Sequence, residues 1–471
     1  MRAIMRRFSV FLAILALAAP AAFGQSDPPA DRPAFSLSQD LSGPDPGVLR
    51  RRPWFAAAEI VGINVTVWAY DRYIKHEPWA YIGWDTIKAN LRRGLEWDRD
   101  EFSTNFFGHP LHGGFFYSAA RSSGLRFSES AAYTLGGSLM WEFLMENNLA
   151  SINDLLTTTS GGVFLGEMQY RMSSLVLDER AVGFDRFWRE LTAGLIDPGR
   201  ALNRLFSGEA WRTRAVNSQV RGPIKGVFSF SRHFLAPFED LTRVDQHPGV
   251  EVDFVYGDVK AGPTAYRPFD WLVFSGDLRF GDEKMYGGIN AYGLLTGRER
   301  IGRKGGRYLT GLFQNFDYLV NEYFKMAGSA LTAGVVSTHA PAGKPFIQTS
   351  IQLGALFGAG INDHFLIEDR DYTYGFGPVF KVDALMDLGR AGTFSLRFGQ
   401  YVIFTIAGTV SDRTDSVNWV TAARARYRLG LWNNLGVRAE FGWFRRSTQY
   451  EQAQRITRNQ LQLGLSAVYD F

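Results

Sequence analysis

Apolar residues recur along this chain with two different periods, and the change falls near residue 226. Beyond it, apolar and polar positions alternate. In Leu461 to Phe471 the odd positions Leu461, Leu463, Leu465, Ala467, Tyr469 and Phe471 are apolar. The even positions Gln462, Gly464, Ser466 and Asp470 are polar or small, with Val468 the exception. A period of two puts one apolar and one polar face on a strand. The same alternation runs through Val252–Tyr256, Leu272–Phe280, Ile347–Phe357, Phe380–Met386, Phe394–Phe398, Trp419–Leu429 and Leu435–Trp443. Turn clusters such as Asp282-Glu283, Gly389–Gly392 and Ser411–Asp415 separate the runs. About twelve strands fit between 226 and 471, the stretch 226–236 being the least regular. Strands of about 9–11 residues, apolar outward and polar inward, predict an antiparallel transmembrane β-barrel.

Before residue 216 the pattern is helical. Pro53 suits the first position of a helix continuing through Trp54–Tyr73. An amphipathic helix follows within Trp84–Trp97, then a loop over Asp98–His112. Further helices are predicted from Gly113 to Ser122, from an N-cap at Ser128 to about Glu146, over Ser160–Leu177, over Phe184–Leu195 and over Ala201–Phe206. Ser151 to Asp154 starts a turn in the manner of a capping box, and Pro198-Gly199 separates the last two helices. The glycines of Gly136-Gly137-Ser138, and Gly162 and Gly166 four apart, let helices approach closely. The fold class is therefore α+β: a helical domain over 54–215, then a barrel over 226–471.

The N-terminus changes the compartment. Arg2, Arg6 and Arg7 precede an apolar run from Phe8 to Ala19, and Ala22-Phe23-Gly24 offers a cleavage site, so 1–24 reads as a signal peptide. Residues 25–53 are rich in Pro, Asp and Ser and read as a disordered linker. The chain has no Cys, which excludes disulfides and a lipid-anchored cysteine. The aromatic Phe471 ending the last strand resembles the signal that outer-membrane barrels present to their assembly machinery. The expected location is the outer membrane, with the helical domain in the periplasm. The partners are outer-membrane lipid and, through the C-terminal strand, the barrel-assembly machinery. A net charge of +4, from 51 basic and 47 acidic residues, gives no reason to expect nucleic acid.

Charge inside the predicted strands falls on the polar face. Arg424, Arg426 and Arg428 would each cost about 2–4 kcal/mol in lipid near the midplane, so they face the lumen, as do Arg438 and Glu440. Asp253, Asp277, Asp383, Asp387 and Glu440 are the expected partners. Such residues form either a structural ion-pair network or an anion-attracting pore lining. A small barrel's need for polar filling favours the network.

The helical block carries a set of short motifs: Phe102-Ser-Thr-Asn105, His109-Pro110-Leu-His112-Gly113, Ala119-Ala-Arg121, Gly124, Glu129-Ser130, Gly137-Ser138, Trp141-Glu142, Asn153-Asp154, Gly161-Gly162 and Gly166-Glu167. Over about residues 60–180 the chain resembles a bacterial family known as domain of unknown function 3943. The resemblance implies a Gram-negative envelope protein with a helical domain followed by a barrel, and supplies no catalytic roles. It marks Asn105, Arg121, Glu129, Trp141, Asp154 and Glu167 as a motif cluster. Read from the residues alone, Glu142 and Glu146 share a helix face, with His109 and His112 in the preceding loop. Two His and two carboxylates are able to bind a divalent metal or to serve as a general acid and base. The structural alternative pairs Glu142 with Arg121 or Arg126, and Glu167 with Arg171. No G-x-S-x-G nucleophile motif lies near this block and the sequence requires no cofactor. The preferred reading is a non-catalytic envelope protein, a narrow pore or a scaffold. The alternative is an outer-membrane lipid-modifying hydrolase using the His/Glu cluster.

Overall fold

The computed structural model describes residues 51–471 except 98–99, 216, 218, 220, 258–265, 282–284, 303–305, 322–323, 341–345, 368–369, 408–415 and 452–453. The signal peptide, most of the linker and the turns at 282–283 and 411–415 lie outside the described residues. The chain forms two compact units, a helical one ending at Arg221 and a β one from Gly222.

The helical unit holds α1 (Pro53–Tyr70), α2 (Trp84–Arg93), α3 (His109–Ser122), α4 (Phe127–Met140), α5 (Ile152–Val176), α6 (Gly183–Ile196) and α7 (Pro198–Phe206). Two short strands, β1 (Leu95–Glu96) and β2 (Ala150–Ser151), pair in parallel. At its centre α3 packs on α5 through glycine. A Cβ added at Gly113 would lie 1.9 Å from the Thr158 carbonyl oxygen, and one at Gly162 2.5 Å from the Gly113 carbonyl carbon. Only bare backbone fits at this crossing. From Gly161 to Val176 every residue of α5 is buried.

Several boundaries differ from the sequence reading. His109 and His112 stand in α3, not in a loop, because Pro110 occupies its first turn and a π-helical turn, Thr104–Gly108, feeds into it. The Gly113-Gly114 pair is a packing contact rather than a helix start. α4 begins one residue before Ser128, and Glu129 Oε2 accepts the Arg126 N–H at 2.8 Å in place of a side-chain N-cap. A π turn, Trp141–Met145, then ends the helix, and Glu146 is extended (φ −126°, ψ 153°). Glu142 and Glu146 therefore do not share an α-helical face. The expected turn at Ser151 and the helix at Ser160 are one 25-residue helix, α5, with Ser151 as its N-cap.

The β unit is a closed barrel of twelve strands: β3 (Ile224–Pro237), β4 (Asp245–Tyr256), β5 (Leu272–Phe280), β6 (Met285–Ile301), β7 (Arg307–Val320), β8 (Lys325–His339), β9 (Phe346–Ile367), β10 (Arg370–Asp387), β11 (Thr393–Ala407), β12 (Ser416–Trp432), β13 (Leu435–Tyr450) and β14 (Ile456–Asp470). Each strand pairs antiparallel with the next, and β14 closes on β3 with Tyr469 opposite Phe228. Gly226 and Phe471 exchange two backbone hydrogen bonds of 3.0 Å at the seam. An added Cβ at Gly226 would meet the Phe471 ring at 2.2 Å. The alternation holds in space. On β14 Leu463 and Leu465 are exposed while Gln460, Gln462 and Ser466 are buried. On β13 Val437 and Phe441 are exposed while Arg438 and Glu440 are buried. Along β4 and β5 the outward Val252, Phe254, Leu272 and Phe274 are buried as well.

Candidate functional site

The polar cluster of the helical unit gathers at the start of α5. Ser151 caps that helix, its Oγ accepting the Asp154 N–H at 3.2 Å. The Ser151 N–H in turn donates to Glu142 Oε2 at 2.8 Å. Glu142 is only 1% exposed. Burial, with Glu146 and Asp154 nearby, holds its carboxyl well above the usual carboxylate range, against the pull of His109 and the Ser151 N–H. His109 Nε2 lies 3.5 Å from Asp154 Oδ1 and 4.0 Å from Asp100 Oδ2. Asn153 Nδ2 donates to Asp154 Oδ1 at 2.8 Å and to Asn105 Oδ1 at 3.3 Å. Asn105, His109, Glu142, Asn153 and Asp154 thus come together around one helix start.

His112 and Glu146 play other parts. The His112 ring packs against Phe116 (4.5 Å) and, edge-on, Trp141 (4.9 Å). Burial, and His109 nearby, push its imidazole down to about 3, so it is neutral at physiological pH. Glu146 accepts the Trp141 indole N–H. The hydrogen bond of the Glu142 carboxylate goes to the Ser151 N–H and not to either histidine or to Arg121. Among the described residues no group of three or more His, Cys, Asp or Glu is arranged to hold a metal ion.

A second cluster surrounds Glu167. Its carboxylate accepts from Arg121 Nε at 2.7 Å, Arg121 Nη2 at 3.2 Å, Arg171 Nε at 2.8 Å and the Tyr117 hydroxyl at 2.8 Å. The expected Glu167–Arg171 pair is present, and Arg121 joins it instead of pairing with Glu142. Glu129 carries the N-terminus of α4 and meets Arg51 at 2.6 Å.

Sequence reasoning missed a third group. Asp197 caps α7 by accepting the Arg200 N–H (2.9 Å) and also the Ser118 hydroxyl (3.0 Å). Burial raises its carboxyl to about 6. Asn203 Nδ2 donates to Glu59 Oε2 at 2.6 Å, and burial lifts Glu59 to about 7. The Asp197-Pro198 pair, a capping residue before an N1 proline, was the available signal.

In the barrel, side chains from separated strands meet across the lumen. Arg426 on β12 reaches Glu251 (2.9 Å) and Asp253 (2.9 Å) on β4 and Glu440 (2.5 Å) on β13. Arg438 reaches the same Glu251 (2.7 Å) and Asp253 (2.9 Å). Arg424 pairs with Asp277 on β5 at 2.8 Å, and Arg279 with Asp277 at 3.1 Å. Gln462 donates to Glu440 at 2.6 Å and accepts from Arg279 at 2.7 Å. Four arginines, Arg279, Arg424, Arg426 and Arg438, thus face four carboxylates, Glu251, Asp253, Asp277 and Glu440. Glu251 was not foreseen. Asp383 pairs with Arg397 at 2.7 Å, Arg428 meets Asp470, and Asp387 accepts the Gly389 N–H in a turn. A further ion pair, Lys381–Asp317 at 2.9 Å, is likewise buried. Met326, Leu356, Tyr401, Ile403, Val420 and Phe444 add a buried apolar cluster. A cavity of about 50 Å³ lined by Ser275, Asn290, Asp317, Arg397 and Tyr401 has room for a few waters.

Among solved structures the chain is similar to the outer membrane protein OmpT of Vibrio cholerae, at 8% identity and a TM-score of 0.20, over 53% of this chain and 99% of that one. It is similar to the outer membrane protein opdK from Pseudomonas aeruginosa at 10% identity and a TM-score of 0.18, over 53% and 99% of the two chains. OccAB3 of Acinetobacter baumannii aligns at 7% identity and a TM-score of 0.17, over 53% and 99%. None of the curated proteins matches the sequence. The chain resembles, over residues 94–199, which hold the Glu142–Asp154 and Glu167 clusters, the family described as Domain of unknown function (DUF3943).

Proposed function

We propose that this protein is a non-conducting outer-membrane anchor whose barrel carries the helical domain on the periplasmic side as a scaffold. The observation that carries this reading is the lumen network. Arg424, Arg426 and Arg438 are engaged with carboxylates on β4, β5 and β13, so charge that would otherwise line a path is neutralised pair by pair. The paired carboxylates match the arginines in number, which gives an anion no net attraction. In the helical domain the buried carboxylates serve the fold: Glu142 holds the start of α5 and Glu167 joins α3 to α5. In this reading the exposed apolar band of β13 and β14 meets lipid, and the seam strand β14 is what the assembly machinery engages.

Fractionation with protease shaving tests the proposal. The full-length protein should sediment with outer membranes, and its helical domain should resist protease in intact cells but be cleaved once the outer membrane is permeabilised. Soluble periplasmic protein, or cleavage of the helical domain in intact cells, would overturn the placement. Lipid turnover that disappears in a His109→Ala variant would overturn the non-catalytic part.

A further inference from the structure

On four helices of the helical unit polar residues turn inward and large apolar residues outward, around a core that also holds Ala56, Ile60, Phe116 and Ala119. On α1 the buried residues include Asn64, which donates to the Gly137 carbonyl at 3.1 Å, while Trp54, Val61 and Val65 are exposed. On α4 Ser130, Thr134 and Ser138 are buried while Leu135 and Leu139 are exposed. On α7 Arg200, Asn203 and Arg204 are buried while Leu202, Leu205 and Phe206 are exposed. On α6 Arg186 is buried and donates to the Ala210 carbonyl at 2.8 Å, while Phe184, Phe187, Trp188, Leu191 and Leu195 are exposed. A water-soluble bundle has the opposite arrangement.

These four helices are neighbours. Asn64 joins α1 to α4, Asn203 joins α7 to Glu59 of α1, and Arg204 joins α7 to Glu190 of α6 at 2.7 Å. Their outward sides carry little charge, the exposed Asp185–Arg189 pair of α6 being the exception. Neither Ile60–Tyr70 nor Ser130–Trp141 contains a charged residue. On α6 the exposed Phe184, Phe187 and Trp188 rings cluster with centroids 5.5–6.1 Å apart. Aromatic side chains of this kind favour the boundary between headgroups and acyl chains. No described helix is long and apolar enough to cross a membrane, which points to lying in the boundary rather than spanning it. The tether is short as well: α7 ends at Phe206 and β3 begins at Ile224, within about 60 Å of extended chain.

We infer that the outward faces of α1, α4, α6 and α7 form a lipid-binding surface that rests in the headgroup and acyl boundary of a phospholipid bilayer. The inference rests on the membrane reading of the barrel, because the tether brings the helical unit to a bilayer only if the barrel is in one.

The absence of cysteine makes the test clean. Single variants Phe184→Cys, Leu205→Cys and Leu139→Cys are labelled with an environment-sensitive NBD fluorophore in the full chain. The protein is reconstituted in phosphatidylcholine–phosphatidylglycerol vesicles containing doxyl-labelled lipid. Leu463→Cys on the exposed face of β14 reports barrel insertion, and Lys88→Cys on α2 reports water. Circular dichroism at 222 nm confirms that each variant is folded. Doxyl lipid should quench the three helical probes at least about twofold more than the probe at position 88, and comparably to that at 463. If position 463 is quenched while 184, 205 and 139 behave like 88, the face is in water and the inference falls alone. Blue-shifted emission at the three positions without doxyl quenching means protein, such as a second copy, covers the face, and the inference also falls. No quenching at 463 removes the membrane reading and this inference together.

Discussion

Removing the Glu167 carboxylate should unfold the helical unit more readily than any other single polar change in it. The residue is fully buried and accepts four hydrogen bonds, two from Arg121 and one each from Arg171 and Tyr117. Glu167→Ala takes a shared carboxylate away from two buried guanidinium groups, 4% and 5% exposed. Breaking a buried pair from one side costs about 3–5 kcal/mol, mostly the penalty of the stranded charge. Against a typical domain stability of about 5–15 kcal/mol, that is a large fraction. Glu167→Gln keeps the shape but not the charge, and its amide N–H groups face donors, so about 3 kcal/mol is expected. Replacing all three members, Glu167→Leu with Arg121→Met and Arg171→Met, removes the stranded charges and should recover part of the loss. Recovery stays incomplete because Arg121 also donates to the Leu125 carbonyl at 3.0 Å. Urea titration of the full chain followed at 222 nm reads the helical unit, since helices dominate that signal. A Glu167→Ala variant within about 1 kcal/mol of wild type, or a triple variant worse than the single one, would refute the reasoning.

Gly162→Ala should destabilise the helical unit by about 1–3 kcal/mol, because its Cβ meets Gly113 backbone at 2.5–2.9 Å. Gly136→Ala, with nothing within 4 Å, should stabilise it by up to about 1 kcal/mol; equal effects in the same urea titration would contradict the close α3–α5 crossing. Glu59 sits near 7 when folded against an ordinary 4.5, so the protonated form is favoured by folding. Its contribution is full below about 4.5 and fades as pH rises through about 7, by up to about 3 kcal/mol, with Asp197 acting in the same direction. Urea midpoints at pH 5 and pH 8 should therefore differ less in Glu59→Gln than in wild type, and an unchanged difference would count against the buried carboxyl. Deleting Tyr469 to Phe471 removes the pairing with Gly226–Phe228 and should abolish the heat-modifiable band on gels, whereas a normal band would contradict the closing role of the seam.

The barrel was legible because period-two patterning gives each strand an inward and an outward face, down to Val468 as the inward apolar exception on β14. Twelve strands follow from the spacing of turns, and the inward direction of Arg424, Arg426 and Arg438 follows from the cost of charge in lipid. Which carboxylate each arginine meets was not legible. Arg426 bonds across the lumen to β4, and no local rule carries that distance in sequence. In the helical unit the close contacts of Gly137, Gly162 and Gly166 were legible from their spacing, while Gly113 read as a helix start and Gly136 faces open space; the π turns after Ser103 and Met140 were not legible, since an inserted residue leaves no mark in composition. That turn is what separates Glu142 from Glu146 and directs Glu142 to the Ser151 N–H. The inward polar faces of α6 and α7 escaped notice because a periodic pattern names two faces without saying which one is covered.

Planar-bilayer recording of the purified full chain tests the central claim most directly, namely that ion pairs from opposing strands fill the lumen. With Arg424, Arg426 and Arg438 held by Asp277, Asp253, Glu251 and Glu440, the bilayer should stay at its baseline current in molar potassium chloride after confirmed insertion. Reproducible single-channel steps from the wild-type protein would contradict the account and return the lumen arginines to a pore lining.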